Sequence, residues 1–232
     1  MTKMALSYSR LSTFEQCQSK FEYLYVSKRV QDSDNEFTLY GNRVHEALEE
    51  YAKDSYKGVA LALDMLNDGQ KYAEIRKFIP VADAILSRPG QKFFELQMAI
   101  REDKTRCDWF APDVWLRGIA DVLVVNGDTA FVGDWKTGKV KENLVQLKLF
   151  ACMVFALFPQ VNKVKTAFIW LVHDQITDAT FTRNMLPDLW ATIEPRLEAV
   201  QDAVDIGVFK PKPSGLCNWC PAKGICPDRK TR

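Results

Sequence analysis

Two aspartates and a lysine stand out near the middle of the sequence: Asp121 in "GIADVLVV", and Asp134 with Lys136 in "FVGDWKTGK". The stretches that carry them, "VWLRGIADVLVV" and "TAFVGDW", are β-rich and flank Asn126-Gly127-Asp128, a strong hairpin signal. Strands joined by so tight a turn set the two carboxylates side by side, and Lys136, two residues beyond Asp134, points to the same face. Neighbouring carboxylates repel unless a divalent cation lies between them. Such a trio suits phosphodiester hydrolysis. A metal ion binds the scissile phosphate and lowers the pKa of a water, while the lysine orients that water or neutralises developing charge.

Two other readings compete. Gly133, Gly138 and Lys139 match the G-x-x-x-x-G-K part of a phosphate-binding loop, but position 140 is Val rather than a hydroxyl residue. Asp134 would also place a carboxylate inside a loop meant to wrap phosphates. The plainer alternative is a solvated strand end, the commonest fate of charged residues. The rest of the chain has to decide.

The elements that would position the trio follow from periodicity. Residues 9 to 26 carry Leu11, Phe14, Phe21 and Leu24 at helical spacing, with Ser9 or Ser12 as caps and Cys17 on the apolar side, which predicts an opening helix or helix pair. After the polar linker "QDSDNE", a helix over 38 to 57 places His45 and Glu49 four apart on one face. Two more helices are expected near 59 to 67 and 70 to 87, ending at "SRPG". From 93 the pattern turns to strands: "FFELQMAIR", with Glu95 a candidate to face the site, then the two hairpin strands, giving three antiparallel strands. An apolar helix over 143 to 158, a buried strand "KTAFIWLVH", a short strand "ATFTR" and a polar helix from about 187 to 206 complete the periodic part.

The chain has 232 residues, 47% of them hydrophobic, ample for a real core. Lys plus Arg number 31 against 30 Asp plus Glu, so a nucleic-acid site would have to be a local basic groove rather than a global field. The aromatic residues Trp109, Trp115 and Trp135 are candidates to stack bases in such a groove. "MTKMALSYSR" lacks the apolar core of a secretory signal, and the longest apolar stretch is interrupted by Gln146 and Lys148, so no membrane segment and a cytoplasmic location are expected.

Six cysteines in such a chain are poor disulfide candidates and better metal ligands. Cys217, Cys220 and Cys226 form a C-x2-C-x5-C cluster in a tail of Pro and Gly without periodicity, and Cys17 is the candidate fourth ligand. Four thiolates suit zinc or an iron-sulfur cluster, which spacing alone does not separate. Cys107 and Cys152 are left over, Cys152 as a packing residue.

With these residues in view, Gly118-Ile-Ala-Asp121 followed by Asp134-Trp-Lys136 resembles the core of the PD-(D/E)XK nucleases. Gly41-Asn-Arg-Val-His45-Glu-Ala-Leu-Glu49 and the Gln146-to-Phe150 segment are similar to the flanking motifs of their RecB-like branch. The resemblance implies a restriction-endonuclease-like α+β core, a central mixed sheet flanked by helices. It implies His45, Asp121 and Asp134 as ligands of Mg²⁺ or Mn²⁺, and Lys136 and Gln146 as further catalytic or positioning residues. Phe150 departs from the usual tyrosine, so a hydroxyl contact there is lost. One cysteine far upstream and three at the C-terminus is similar to the iron-sulfur nucleases of this branch, among them AddB-type helicase-nucleases and small CRISPR-associated nucleases. That favours a 4Fe-4S cluster on Cys17, Cys217, Cys220 and Cys226 over zinc.

The expected organisation is a single nuclease domain: a helical region over 1–90, the nuclease core over 91–182, a helix within 183–210 and a cluster-binding tail over 211–232. The expected activity is that of an exonuclease on single-stranded or end-opened DNA. The alternatives are a non-catalytic iron-sulfur DNA-binding or adaptor module, against which the intact trio argues, and a zinc-stapled interaction protein.

Overall fold

The computed structural model of the chain describes residues 4–32, 36–53, 76–140 and 144–230. Its centre is one five-stranded sheet in the order β1-β2-β3-β4-β5, with β1 at Gln91–Ile100, β2 at Leu116–Asn126, β3 at Thr129–Lys136, β4 at Lys163–Trp170 and β5 at Gln175–Thr182. The first three strands form the expected antiparallel set. Asn126 pairs with Thr129 across Gly127 and Asp128, and Gly127 takes φ +58°, a conformation that costs glycine nothing. β3 and β4 are parallel, which requires a crossover, and β5 returns antiparallel to β4. The sheet is therefore mixed and flanked by helices, the α+β architecture expected from the sequence.

Helices cover both faces. On one side lie α1 (Tyr8–Gln16), α2 (Gln18–Phe21), the crossover helix α5 (Val145–Leu157) and α6 (Leu186–Ile206), packed on Leu123, Val125, Val132 and Val164. On the other, α3 (Glu36–Lys53) and α4 (Ile79–Leu86) cover Val122, Val124, Phe131 and Ile169. Alternate residues of β2 thus enter opposite cores, and this is why "DVLVV" reads as an unbroken apolar run after its aspartate. α5 is buried on nearly every side, including Cys152, whose thiol burial pushes up to about 12. Cys152 is a packing residue, as expected.

The opening segment is a helix pair, but its cap is neither Ser9 nor Ser12. Ser7 accepts from Arg10 N at 3.3 Å and α1 starts at Tyr8. The first helical break falls at Cys17, whose extended backbone (φ −166°, ψ 116°) ends α1 and starts α2; a π-helical turn, Glu22–Val26, follows. α6 stops where Gly207 adopts φ +73°. The helix expected near 59 to 67 and the first part of that near 70 to 87 lie outside the described residues; from the latter, α4 is observed. Among the described residues no helix is long and apolar enough to cross a membrane.

Gly133 shows what this packing demands. It pairs with Val122 on one side and Ala167 on the other. A strand-centre glycine so paired cannot belong to a phosphate-wrapping loop, so its match to that motif is coincidental. A Cβ on it would come within 2.8 Å of Val122 Cγ1 and 3.0 Å of Ile169 Cδ1. Gly133→Ala is expected to cost about 1–3 kcal/mol in overpacking, read as a melting temperature lower by roughly 2–12 °C for a chain of this size.

Candidate active site

The β2–β3 ladder ends at Val122 and Gly133. In the next register step Asp121 and Asp134 stand opposite each other, and the N–H of Trp135 donates to Asp121 Oδ2 at 2.6 Å. Both carboxylates are buried, Asp121 at 9% and Asp134 at 4% exposure. Lys136, on the same strand, forms an ion pair with Asp134 Oδ2 and lies over the ring of Phe168. The solvated strand end is thereby excluded, and the trio expected from sequence is brought together.

Three other elements reach the same spot. From α3, His45 Nδ1 stands 3.4 Å from Asp121 Oδ2. Gly41, one turn earlier, lets the helix approach: a Cβ there would meet Thr137 Oγ1 at 3.1 Å, just beyond β3. From the first turn of α5, Gln146 Nε2 donates to Asp134 Oδ1 at 2.8 Å. Phe150, one turn on, is a buried wall residue with no polar role. From β1 comes Glu95, which sequence alone left open. It is a non-glycine residue at φ +46° in mid-strand, between the pairs Phe94–Val122 and Leu96–Ala120. Such a backbone costs about 1–3 kcal/mol and persists only where its surroundings enforce it. Its carboxylate, His45 and Asp121 each offer a ligand atom within 4.8 Å of the others.

The electrostatics of this cluster are strained in one direction. Burial, then the charge of Asp121, raise Asp134 to about 6 despite Lys136. Burial, with Asp121 and Glu49, raises Glu95 to about 7. Burial pulls His45 down, but the hydrogen bond and charge of Asp121, with Asp134, outweigh it and leave the imidazole raised. Asp134 Oδ2 is buried and paired with Lys136 Nζ. Oxygen donors with one imidazole, crowded and short of positive charge, fit a divalent ion such as Mg²⁺ or Mn²⁺.

The cysteines form a second centre. Cys17, Cys217, Cys220 and Cys226 line one cavity of about 150 Å³ between α1–α2 and the tail. All six cysteines are free thiols, and Cys107 and Cys152 lie away from this cavity. The tail is held against the helix pair by Lys210 N on Gln18 Oε1 at 2.8 Å, and by Lys212 N on Cys17 Sγ at 3.4 Å. Ser214 N donates to Cys217 Sγ at 3.3 Å; with Lys230 N it holds that thiol below its ordinary value.

Of the candidate stacking residues, Trp115 and Trp135 are core. Trp109 is half-buried at the edge of an open groove that Lys136 and Gln146 also line.

A solved structure from Eubacterium rectale, described as a candidate exonuclease, shares this fold with a TM-score of 0.56 at 13% identity, covering 98% of this chain and 90% of that one. A second, SSO0001, aligns with a TM-score of 0.39 at 17% identity over 86% of this chain and 90% of that one, too low to carry an argument. No curated protein matches. The model of the PD-(D/E)XK nuclease superfamily matches residues 5–227, nearly the whole sequence and both centres described above. The chain belongs to the PD-(D/E)XK nuclease superfamily.

Proposed function

We propose that the chain is a metal-dependent exonuclease of the RecB-like branch, acting on single-stranded or end-opened DNA as one nuclease domain that carries a structural 4Fe-4S cluster. The observation behind the hydrolytic part is the convergence of Asp121, Asp134 and Lys136 with His45, Glu95 and Gln146 from three further elements. In this reading His45, Asp121 and Asp134 hold Mg²⁺ or Mn²⁺, with Glu95 an added carboxylate. The ion supplies Lewis acidity toward the scissile phosphate and a water. Gln146 fixes the Asp134 carboxylate through Oδ1, and Lys136, held beside Oδ2, orients the attacking water or neutralises charge on the phosphoryl oxygens.

The cluster reading rests on the four thiols around one cavity. Backbone N–H groups on Cys17 and Cys217 are the kind of contact that tunes cluster thiolates. Free thiols and a cluster both fit a reducing, cytoplasmic setting.

End-labelled linear and circular single-stranded DNA, with a linear duplex, digested with Mg²⁺ or Mn²⁺, tests activity and end dependence together. Linear single strands are expected to be degraded and circles spared. Asp134→Ala and Lys136→Ala are each expected to lose roughly a hundredfold or more in rate with the fold and iron content kept. Wild-type cleavage by Asp134→Ala would contradict the assignment.

Metal binding should also release protons. Glu95 and Asp134, with raised values of about 7 and about 6, carry protons in part at pH 6.5, and neither can keep its proton on a ligand atom. Mn²⁺ titrations by calorimetry in buffers of differing ionisation enthalpy are expected to show proton release at pH 6.5 and little at pH 8.5, with affinity rising between. No release at pH 6.5 would remove these groups from the metal site.

For the second centre, Cys17→Ser is expected to lose iron, bleach the absorbance near ~400 nm and expose the tail to protease, whereas Cys107→Ser keeps both. Equal iron and equal protection would make Cys17 a plain helix-end residue.

A further inference from the structure

From Lys136 and Gln146 a groove of about 720 Å³ runs away from the acidic cluster, between the start of α1 and the start of β2. Its walls include Phe150 and Met153, and its rim carries Arg10, Arg117 and Trp109 with the hydroxyls of Ser9 and Ser12. The two arginines differ from three others in the protein, while Arg29 and Arg88 also lie over aromatic rings, but outside this groove. Arg101 pairs with Asp113, Arg196 forms a two-point pair with Glu15, and Arg183 donates to three backbone carbonyls. Arg10 reaches only the carbonyl of Ala5 and lies 5.3 Å over the ring of Tyr25. Arg117 lies over Trp109 at 5.2 Å and Phe110 at 5.9 Å, and its buried Nε has no acceptor. Among the described residues neither guanidinium has a carboxylate partner.

Burial pulls Arg10 below its ordinary value, and the charge of Arg117 pulls in the same direction. Two like charges held together and partly desolvated are costly unless an anion completes them. The aromatic pair beside them is of a different use. Phe110, 84% exposed, flanks Arg117 beside the groove that Trp109 lines, and a flat ring at such a basic groove stacks on a base only when that base has left its duplex.

We propose that this groove is the track of a single DNA strand, with Arg10 and Arg117 holding its phosphates on the approach to the acidic cluster and Trp109 and Phe110 stacking an unpaired base. The proposal rests on the nuclease reading and adds to it the side from which the strand reaches the site. It also explains how a chain of formal charge +1 binds a polyanion: the positive charge is local and unneutralised, where the strand lies.

The test uses the full chain and a fluorescein-labelled thymidine oligonucleotide, with a duplex of the same length beside it, in EDTA so that nothing is cleaved. Fluorescence anisotropy is measured over a range of salt. One phosphate contact on a single strand contributes about 0.7 to the slope of log affinity against log salt. Arg117→Gln is thus expected to lower that slope by about 0.7 and to weaken binding roughly fivefold at 0.1 M salt. Arg10→Gln should do the same independently, and Arg117→Lys should keep the slope. Trp109→Ala should weaken the oligonucleotide and spare the duplex, with the slope unchanged. Unaltered affinity and slope in both glutamine variants would overturn the proposal, as would a wild type that fails to bind the oligonucleotide. If Trp109→Ala weakens both ligands equally, the single-strand assignment falls. The two readings separate cleanly: a wild type that binds as described but cleaves nothing with Mg²⁺ or Mn²⁺ defeats the nuclease reading and leaves the track. Cleavage that needs Asp134, with binding indifferent to both arginines, does the reverse.

Discussion

The burial of like charge governs the centre of this structure. Asp121 and Asp134 stand opposite each other at the point where two central strands stop pairing, with almost no exposure to water, and Glu95 is forced toward them by a strained backbone. Nothing in the packing requires carboxylates there. A mixed sheet covered on both faces would be more stable with apolar side chains at those positions. The surrounding elements are arranged to make that burial tolerable. Lys136 and Gln146 occupy the two oxygens of Asp134, Trp135 N and His45 attend one oxygen of Asp121, and Gly41 lets α3 come close enough for His45 to do so.

The proximity of Asp121, Asp134 and Lys136 was legible in the sequence because the hairpin is. A two-residue turn at Gly127 and Asp128 fixes the register of everything before and after it, so Asp121 must fall opposite Asp134, and a side-chain period of two brings Lys136 to the same face. Glu95 was legible only as a candidate, with its role left open. A charged residue in an apolar strand is visible, but the left-handed φ that accompanies its place beside His45 and Asp121 is imposed by tertiary contacts, and glutamate has no local preference for it. The cap of α1 was misplaced for a related reason: three serines lie within six residues, and only packing against β2, seen in the Leu6 N bond to Trp115 O at 2.7 Å, selects Ser7. The break at Cys17 has no glycine or proline to announce it. The groove beside the site was hidden because Arg10 and Arg117 are far apart in sequence and meet only when α1 docks on the sheet.

Two centres with opposite demands therefore share one small fold. The acidic cluster is built from rigid strands and the buried crossover helix, where position is held by packing. The cysteine cavity is built from a helix break and a tail of short 3₁₀ turns that contributes few apolar contacts of its own. Between them, α1 belongs to both: its first turn borders the groove that leads to the carboxylates, and its last residue precedes Cys17.

That double membership sets the order in which a newly made chain can mature. Glu15 meets Arg196 across 181 residues, and Gln18 meets Lys210 across 192. At ~5–20 residues per second of synthesis, the opening helices wait roughly 10–40 s for the segments that hold them. The sheet, with its carboxylates already in register, can assemble on the ribosome before then. Until α6 and the tail emerge, the opening helices lack the contacts with Arg196 and Lys210, although the bonds of Leu6 to Trp115 and Arg117 can already form. A chain cut short after the sheet would carry the acidic residues and the groove beside them, but would lack the Cys217, Cys220 and Cys226 side of the cysteine cavity.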